Sequence, residues 1–315
     1  MESGDIAWML ISTALVVFMV PGLALFYGGG LIGNFDYVGL DELNGDTETL
    51  VFVAFLMTFA SITPALISGA VADRMRFSAW VVFVILWSVL VYTPVTYWVY
   101  RGWHHTVLDP AALDFAGGTA IHINAGVAAL AVVLVLGPRR GLGHEEMAPH
   151  NRIVLLIGTG MLWFGWFGFN AGSAGAADGA AVQALLNTFV AGAICYYAVT
   201  FKEKLGYDDS LDVVGIHGVG GIVGGLLLGL FADSRVNAGG TDGVFFGQPS
   251  FLLSQVISMV SVIVFSFVVT YAIAKGLDKT LGLRVSEEEE YTGLDISLHG
   301  EQVYGEAFLG AAEGL

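Results

Sequence analysis

The chain has 315 residues, 56% of them hydrophobic and only 13% charged, with a mean hydropathy of +0.74. A soluble domain carries about 25% charged residues, so this composition excludes a soluble globular protein. The formal net charge of −16 offers no basic surface for nucleic acid, and the single cysteine, Cys195, excludes an internal disulfide and a cysteine-based metal cluster. In chain order, Asp, Glu, Lys and Arg are absent between Asp5 and Asp36, Glu48 and Asp73, Arg76 and Arg101, and Asp114 and Arg139. They are absent again between Arg152 and Asp178, Asp178 and Lys202, Asp212 and Asp233, and Asp242 and Lys275. Each window exceeds the roughly 18 residues that mark a spanning helix. The pattern predicts an all-α integral membrane protein, a helical bundle of about eight transmembrane segments.

The first segment, Ile6–Leu31, lacks a basic n-region and reads as a retained helix, not a cleaved signal. The sixth runs from Val182 to Phe201. Residues 1–285 form the membrane domain in this reading, and residues 286–315 an acidic cytoplasmic tail. Acid-rich loops and tail fit a halophilic host, where charged surface must stay hydrated, and equally an ordinary membrane protein with an acidic tail.

Positive charge favours cytoplasmic loops. Arg74 and Arg76, then Arg139, Arg140 and Arg152, then Lys202 and Lys204, and finally Lys275, Lys279 and Arg284 make ten of the twelve Lys and Arg. These groups alternate with loops holding none, or only Arg101 or Arg235, which places the C-terminus inside. The first segment has no such marker on either side.

Two histidines fall inside apolar windows, His122 and His217, each followed four residues later by glycine (Gly126 and Gly221). An ionisable side chain in hydrocarbon is expensive unless it faces protein or a water-filled path, so such a pair marks a functional site. The alternative, for either one, is a packed histidine bonded to a backbone carbonyl. DFAGGTAIHINAG entering the fourth segment parallels DVVGIHGVGG entering the seventh, and PGLALFYGGGLIG parallels FGWFGFNAGSAG. Matching motifs on oppositely directed helices suggest inverted repeats, with a site at their interface; shared glycine-rich packing would give the same look. At 1.5 Å per residue, His122 lies about 12 Å in from Asp114 and His217 about 7 Å in from Asp212. Across a core of roughly 30 Å that leaves an axial gap of about 10 Å. Asp114 and Asp212 each precede a helix start and read as N-caps. For Asp114, on the outer side, a further role in biasing the site toward a cation stands beside the capping role.

At these residues the chain resembles the ammonium transporter family. The matching blocks are PGLALFYGG, ADRMRFSA, LDFAGGTAIHINAG, FGWFGFNAGSAG, DVVGIHGVGGIVG and the tail GLRVSEEEEYTGLDISLHGEQVYGE, in family order. The resemblance implies an ammonium-transporter-like inverted repeat and transport of ammonium or ammonia through a hydrophobic pore lined by twin histidines. It places those histidines on His122 and His217 and the outer-site aspartate on Asp114. It places the stacked gate phenylalanines on Phe59 and Phe169, the vestibule phenylalanine on Phe55, the outer-site serine on Ser173 and a pore-lining tryptophan on Trp166. It also implies a homotrimer in the cell membrane of an archaeon or bacterium, and a cytoplasmic face that a P-II-type nitrogen regulatory protein can plug.

Three departures from the family pattern stand out. Where the family has a tryptophan in a W-G-G-G run, this chain reads WVYRGWHH: Tyr100 takes that place, with Arg101 beside it and Trp103 as a substitute ring. An inward Arg101 would weaken cation capture. The family has eleven crossings, and the chain is internally deleted: the second family helix is absent, and Val182–Phe201 is a hybrid of two segments. With the second helix gone, either the first segment is flipped or residues 33–49 must return across the membrane.

No cofactor and no metal are expected, and the chain is not read as an enzyme, since neither an HExxH pattern nor a Ser–His nucleophile motif occurs. Two rival readings are a non-conducting, truncated or redesigned derivative, and an ammonium sensor of the same fold.

Overall fold

The computed structural model describes residues 45–144, 152–190, 192–202, 205–237 and 239–300. Its elements are helical: α1 Thr47–Val71, α2 Phe77–Thr106, α3 Gly118–Leu136, α4 Arg152–Gly172, α5 Gly179–Val190, α6 Gly192–Phe201, α7 Val214–Phe231, α8 Pro249–Thr280 and the short α9 Glu287–Thr292. Six helices among the described residues are long and apolar enough to cross a membrane: α1, α2, α3, α4 from Ile153, α7 and α8. The expected first segment, Ile6–Leu31, lies outside the described residues, as do residues 33–44 and the end of the tail from Glu301. Over the span expected as one segment, Val182–Phe201, residue 191 lies outside the described residues, and helix is described on both sides of it, as α5 and α6. Each has its own partner. Asn170 on α4 donates to the Thr188 hydroxyl on α5, whereas Gly215 at the start of α7 packs on the Val199 backbone of α6.

Local chemistry sets the helix ends and bends. Asp46 caps α1 by accepting from the Thr49 amide at 3.0 Å. Pro94 in α2 has no N–H to return to the Leu90 carbonyl, and the preceding turn, Ser88–Tyr92, widens into a π-helix. The Thr93 hydroxyl donates to the carbonyl of Ser88, using an acceptor that the irregular turn exposes. A core of α1, α2, α3 and α8 forms around Ile67, Phe83, Trp87, Val132 and Val262. Buried polar pairs cross it, as an apolar solvent favours: the Trp87 indole donates to Thr270 at 3.0 Å and Ser266 donates to the Asn124 carbonyl at 3.1 Å.

At the end of the bundle that carries Arg74 and Arg139 a buried guanidinium ties the loops together. Arg74 is fully buried and donates to the carbonyls of Gly137 (2.9 Å), Ala70 (3.2 Å) and Asp208 (2.6 Å) and to the Ser210 hydroxyl (2.9 Å). The Asp208 carboxylate takes Arg139 side-on, with Nε and Nη2 at 3.0 and 2.9 Å, and accepts from the Arg139 amide at 2.6 Å. Burial pushes the Asp208 carboxyl up, but the bonds from Arg139, with the Arg74 charge behind them, bring it below its ordinary value. Burial holds the Arg74 guanidinium down against the pull of Asp208. The segment after α8 docks on the same loop, Arg76 N–H donating to Leu283 and Val285 N–H to Arg74. α9 then starts on a capping box between Ser286 and Glu289, and Arg284 grips Glu290 at 2.7 Å.

Replacing Asp208 leaves the fully buried Arg74 without its counter-charge and Arg139 with Asp73 alone. Asp208→Asn is expected to cost about 3 kcal/mol at neutral pH, read as a lowered midpoint of thermal unfolding in detergent. A depressed folded-state pKa gives stability that is present above the unfolded value, about 3.9, and lost as pH falls through the folded one. The gap between wild type and variant therefore closes only below about pH 4.

Candidate functional site

The site begins with two helix starts that face each other. On the outer side, Gly117 turns the chain at φ 83°, and a Cβ there would lie 2.2 Å from the Ile121 side chain. The Asp114 carboxylate accepts from the amides of Thr119 (3.0 Å) and Ala120 (2.8 Å), so it caps α3 as its position predicts. On the inner side the capping residue differs from expectation. Asp209, not Asp212, accepts from the Val214 amide at 2.7 Å, while Asp212 sits at φ 62° and pairs with Lys202. A residue in the left-handed region at the last position before the helix turns away from the amides, and Asp209 reaches them from three residues earlier.

Both helices open with a π-helical turn, Gly118–Ile123 and Val214–Val219, and each turn carries its histidine. The two rings meet. His122 Nδ1 and His217 Nδ1 are 3.2 Å apart, with ring centroids 5.2 Å apart and planes within 14°. The axial gap expected from helix rise alone is closed because α3 and α7 start inside the protein and cross at glycines. A Cβ on Gly126 would stand 2.4 Å from the Cα and N of Gly218, and one on Gly221 would stand 2.5 Å from the Gly118 carbonyl oxygen. The glycines four residues past each histidine are thus the crossing points.

An Nδ1-to-Nδ1 bond has one proton, so one imidazole is the Nδ1–H tautomer and the other the Nε2–H tautomer. The remaining nitrogens are then one acceptor and one donor. Both rings are neutral in this arrangement, and the two tautomers exchange only when the shared proton crosses the Nδ1 pair while one Nε2 takes up a proton and the other releases one.

Aromatic rings surround the pair. Trp166 on α4 lies 5.4 Å from the His122 ring and 5.9 Å from the His217 ring, and Phe169 lies 6.2 Å from His122. Phe59 from α1 stacks on Phe169 at 4.4 Å and 17°, and Phe55 meets Phe59 edge-on at 5.0 Å. Above them a cavity of about 600 Å³ is lined by Phe55, Phe59, Tyr100, Arg101, Asp114 and Ser173 among others. The Ser173 hydroxyl donates to the Phe169 carbonyl at 2.9 Å. The structure therefore brings together all nine residues singled out in the sequence: five at the outer cavity, with Phe59 at its floor, and Phe169, Trp166, His122 and His217 beyond it. Arg101 lines the cavity. Trp103 instead packs edge-on against His104 at 4.0 Å and is no substitute ring.

Two residues that sequence reading passed over tie this mouth to α8: Gln255 on α8 itself and His104 at the end of α2. Gln255, buried, accepts from the Leu113 amide at 2.8 Å and donates to the Leu113 carbonyl at 3.0 Å. His104, fully buried, lies between Ser258 and Ser261 at 2.9 Å each. The signal for both was a polar spacing of three on α8, Gln255, Ser258 and Ser261, in a helix otherwise fit for lipid. Among the described residues no group of His, Cys, Asp and Glu is arranged to hold a metal.

The Ammonium Transporter Family model matches residues 28–193 and 182–304, the two stretches overlapping within the expected hybrid segment. The chain is 41% identical to the ammonium transporter of Aquifex aeolicus over 405 aligned positions, covering 96% of this chain and 94% of that one. It is 40% identical to a putative ammonium transporter of Methanothermobacter thermautotrophicus over 408 positions, covering 96% and 99%. Both alignments are longer than this chain, so the relatives carry internal segments that it lacks. Saccharomyces cerevisiae Mep2 superposes with a TM-score of 0.76 at 26% identity, over 89% of this chain and 79% of that one.

A methyl group at the crossing should part the rings. Gly126→Ala is expected to destabilise the protein by about 1–3 kcal/mol, since backbone on both sides must move. Gly158→Ala, where an added Cβ meets nothing within 4 Å, should leave the unfolding midpoint within about a degree. Thermal unfolding of both variants in one detergent makes the comparison.

Proposed function

This chain belongs to the ammonium transporter family, and we propose that it carries ammonium across a cell membrane by passing neutral ammonia along the His122–His217 pair. The observation that carries the reading is the Nδ1-to-Nδ1 contact of those rings behind the Phe59–Phe169 stack. Ammonium and potassium share a charge and nearly a size. Only ammonium can shed a proton. A cation entering the outer cavity meets the faces of Phe55 and Tyr100, a favourable setting for a partly dehydrated positive charge. Beyond the stacked phenylalanines the surroundings are apolar, where a bare charge is costly and a small neutral molecule far less so. Ammonia has one lone pair and three N–H bonds, and the pair offers it one donor and one acceptor nitrogen. The shared Nδ1 proton gives the released proton a path between the rings.

In this reading the protein is a transporter or channel and not an enzyme, sits in the cell membrane of an archaeon or bacterium, and needs no cofactor. It works as a homotrimer, supported by the exposed apolar length of α4 at Ile153, Leu156 and Phe164. Residues 286–315 form a cytoplasmic tail, and the docked α9 beside the Arg74 cluster gives a face that a P-II-type regulator would cover.

One observation favours a second reading, a derivative that inserts without conducting. The spanning window of α4 buries none of its residues, although this helix supplies Trp166 and Phe169. Flux in proteoliposomes separates the two.

His122→Ala is expected to abolish methylammonium uptake in a host lacking its own ammonium transporters, while the protein still inserts and purifies at wild-type yield. Uptake equal to wild type would remove the histidine from the mechanism.

A further inference from the structure

We infer that Gln255, on a helix that contributes nothing to the cavity lining, is a positioning residue for the site through the backbone of Leu113. The inference rests on the reading of His122 as a working residue of the transport path.

A glutamine amide is among the few neutral side-chain groups with a donor and an acceptor side by side. Here both are used on one residue, the amide oxygen on the Leu113 N–H and the amide nitrogen on the Leu113 carbonyl. Gln255 therefore pairs with Leu113 as a neighbouring strand would, and fixes the peptide that leads into Asp114. The side chain is 2% exposed, so water cannot take its place. Asp114 in turn accepts from Thr119 and Ala120, the amides of the π-turn that ends one residue past His122. The line of contact runs from Gln255 to Leu113, to Asp114, to the turn and to His122. One more anchor holds the same loop to α8. Ser261 donates to the Ser258 carbonyl at 2.7 Å, so its oxygen accepts from His104 Nε2–H, and His104 Nδ1 accepts from the Ser258 hydroxyl. His104 holds Ala112 in turn, through its carbonyl, at 3.1 Å. The segment from His104 to Asp114 is thus tied to α8 at both ends, and the second tie abuts the carboxylate.

A purely structural glutamine would matter for folding alone. A positioning one changes the histidine pair in a protein that still folds. Gln255→Met keeps length and volume and removes both bonds; Thr270→Val removes a buried partner of comparable strength from the same helix, at Trp87, away from the cavity. The purified variants are compared by methylammonium flux in proteoliposomes and by the imidazole ¹⁵N resonances of the histidine pair, assigned by their loss in His122→Ala and His217→Ala. Gln255→Met is expected to lower maximal flux by about ten-fold or more, the scale of a small misplacement of reacting groups, and to shift the pair's resonances. Thr270→Val should do neither. Gln255→Met with wild-type flux and resonances overturns the inference. So does failure of Gln255→Met to fold where Thr270→Val folds, since Gln255 then holds the bundle and not the site. If wild type itself passes no methylammonium, the transport reading fails, and the resonances still decide whether Gln255 sets the pair.

Discussion

Two transmembrane helices normally pack with axes 8–10 Å apart, too far for short side chains on both to share a hydrogen bond while leaving space beside them. The crossing of α3 and α7 removes the side chains at the contact. Gly126 meets Gly218 and Gly221 meets the Gly118 carbonyl, so backbone lies on backbone. That approach places His122 against His217, and Trp166 and Phe169 then have a fixed surface to pack on. The π-turns contribute as well: a wider turn at the start of each helix leaves its histidine on the face toward the other helix, not one residue further round. The rest of the site follows from this crossing.

Backbone groups at these two helix starts would be unsatisfied in an apolar medium, and the chain answers with a carboxylate at each, Asp114 outside and Asp209 inside. The same economy of charge appears at the end that carries Arg74. Arg74 spends its donors on carbonyls of three segments and a serine, and Arg139 closes on Asp208, so that the loops before α2, after α3 and before α7 share one network. Gln255 and His104 play the neutral version of this part on the outer side.

Much of this was legible in the residues. Charge-free windows located the spanning helices because hydrocarbon excludes charge at any position. The glycine after each histidine was visible, but its purpose was not, because a helix contact needs two partners and the sequence shows one at a time. For that reason helix rise alone left contact between His122 and His217 open: it measures distance along one axis and says nothing of where the axis begins. The capping carboxylate before α7 was misplaced by three residues, since backbone handedness at Asp212 decides which of three nearby aspartates can reach the amides.

The two walls of the site are built in different ways. Four of the helices behind the histidines, α1, α2, α3 and α8, share one interior, and no residue of α4, α5 or α6 belongs to that buried cluster among the described residues. The opposite wall is α4, and it meets the first wall through rings: Phe169 on Phe59, Trp166 on both histidines, and Gly172 beside the Phe55 ring. Stacked rings resist separation weakly, by about 0.5–1.5 kcal/mol for each pair beyond the area they bury. A passage that must admit a small molecule between Phe59 and Phe169 gains from such a seam, because rings held by stacking can part locally without disturbing the buried cluster. The twin histidines keep their contact in a chain shorter than its relatives.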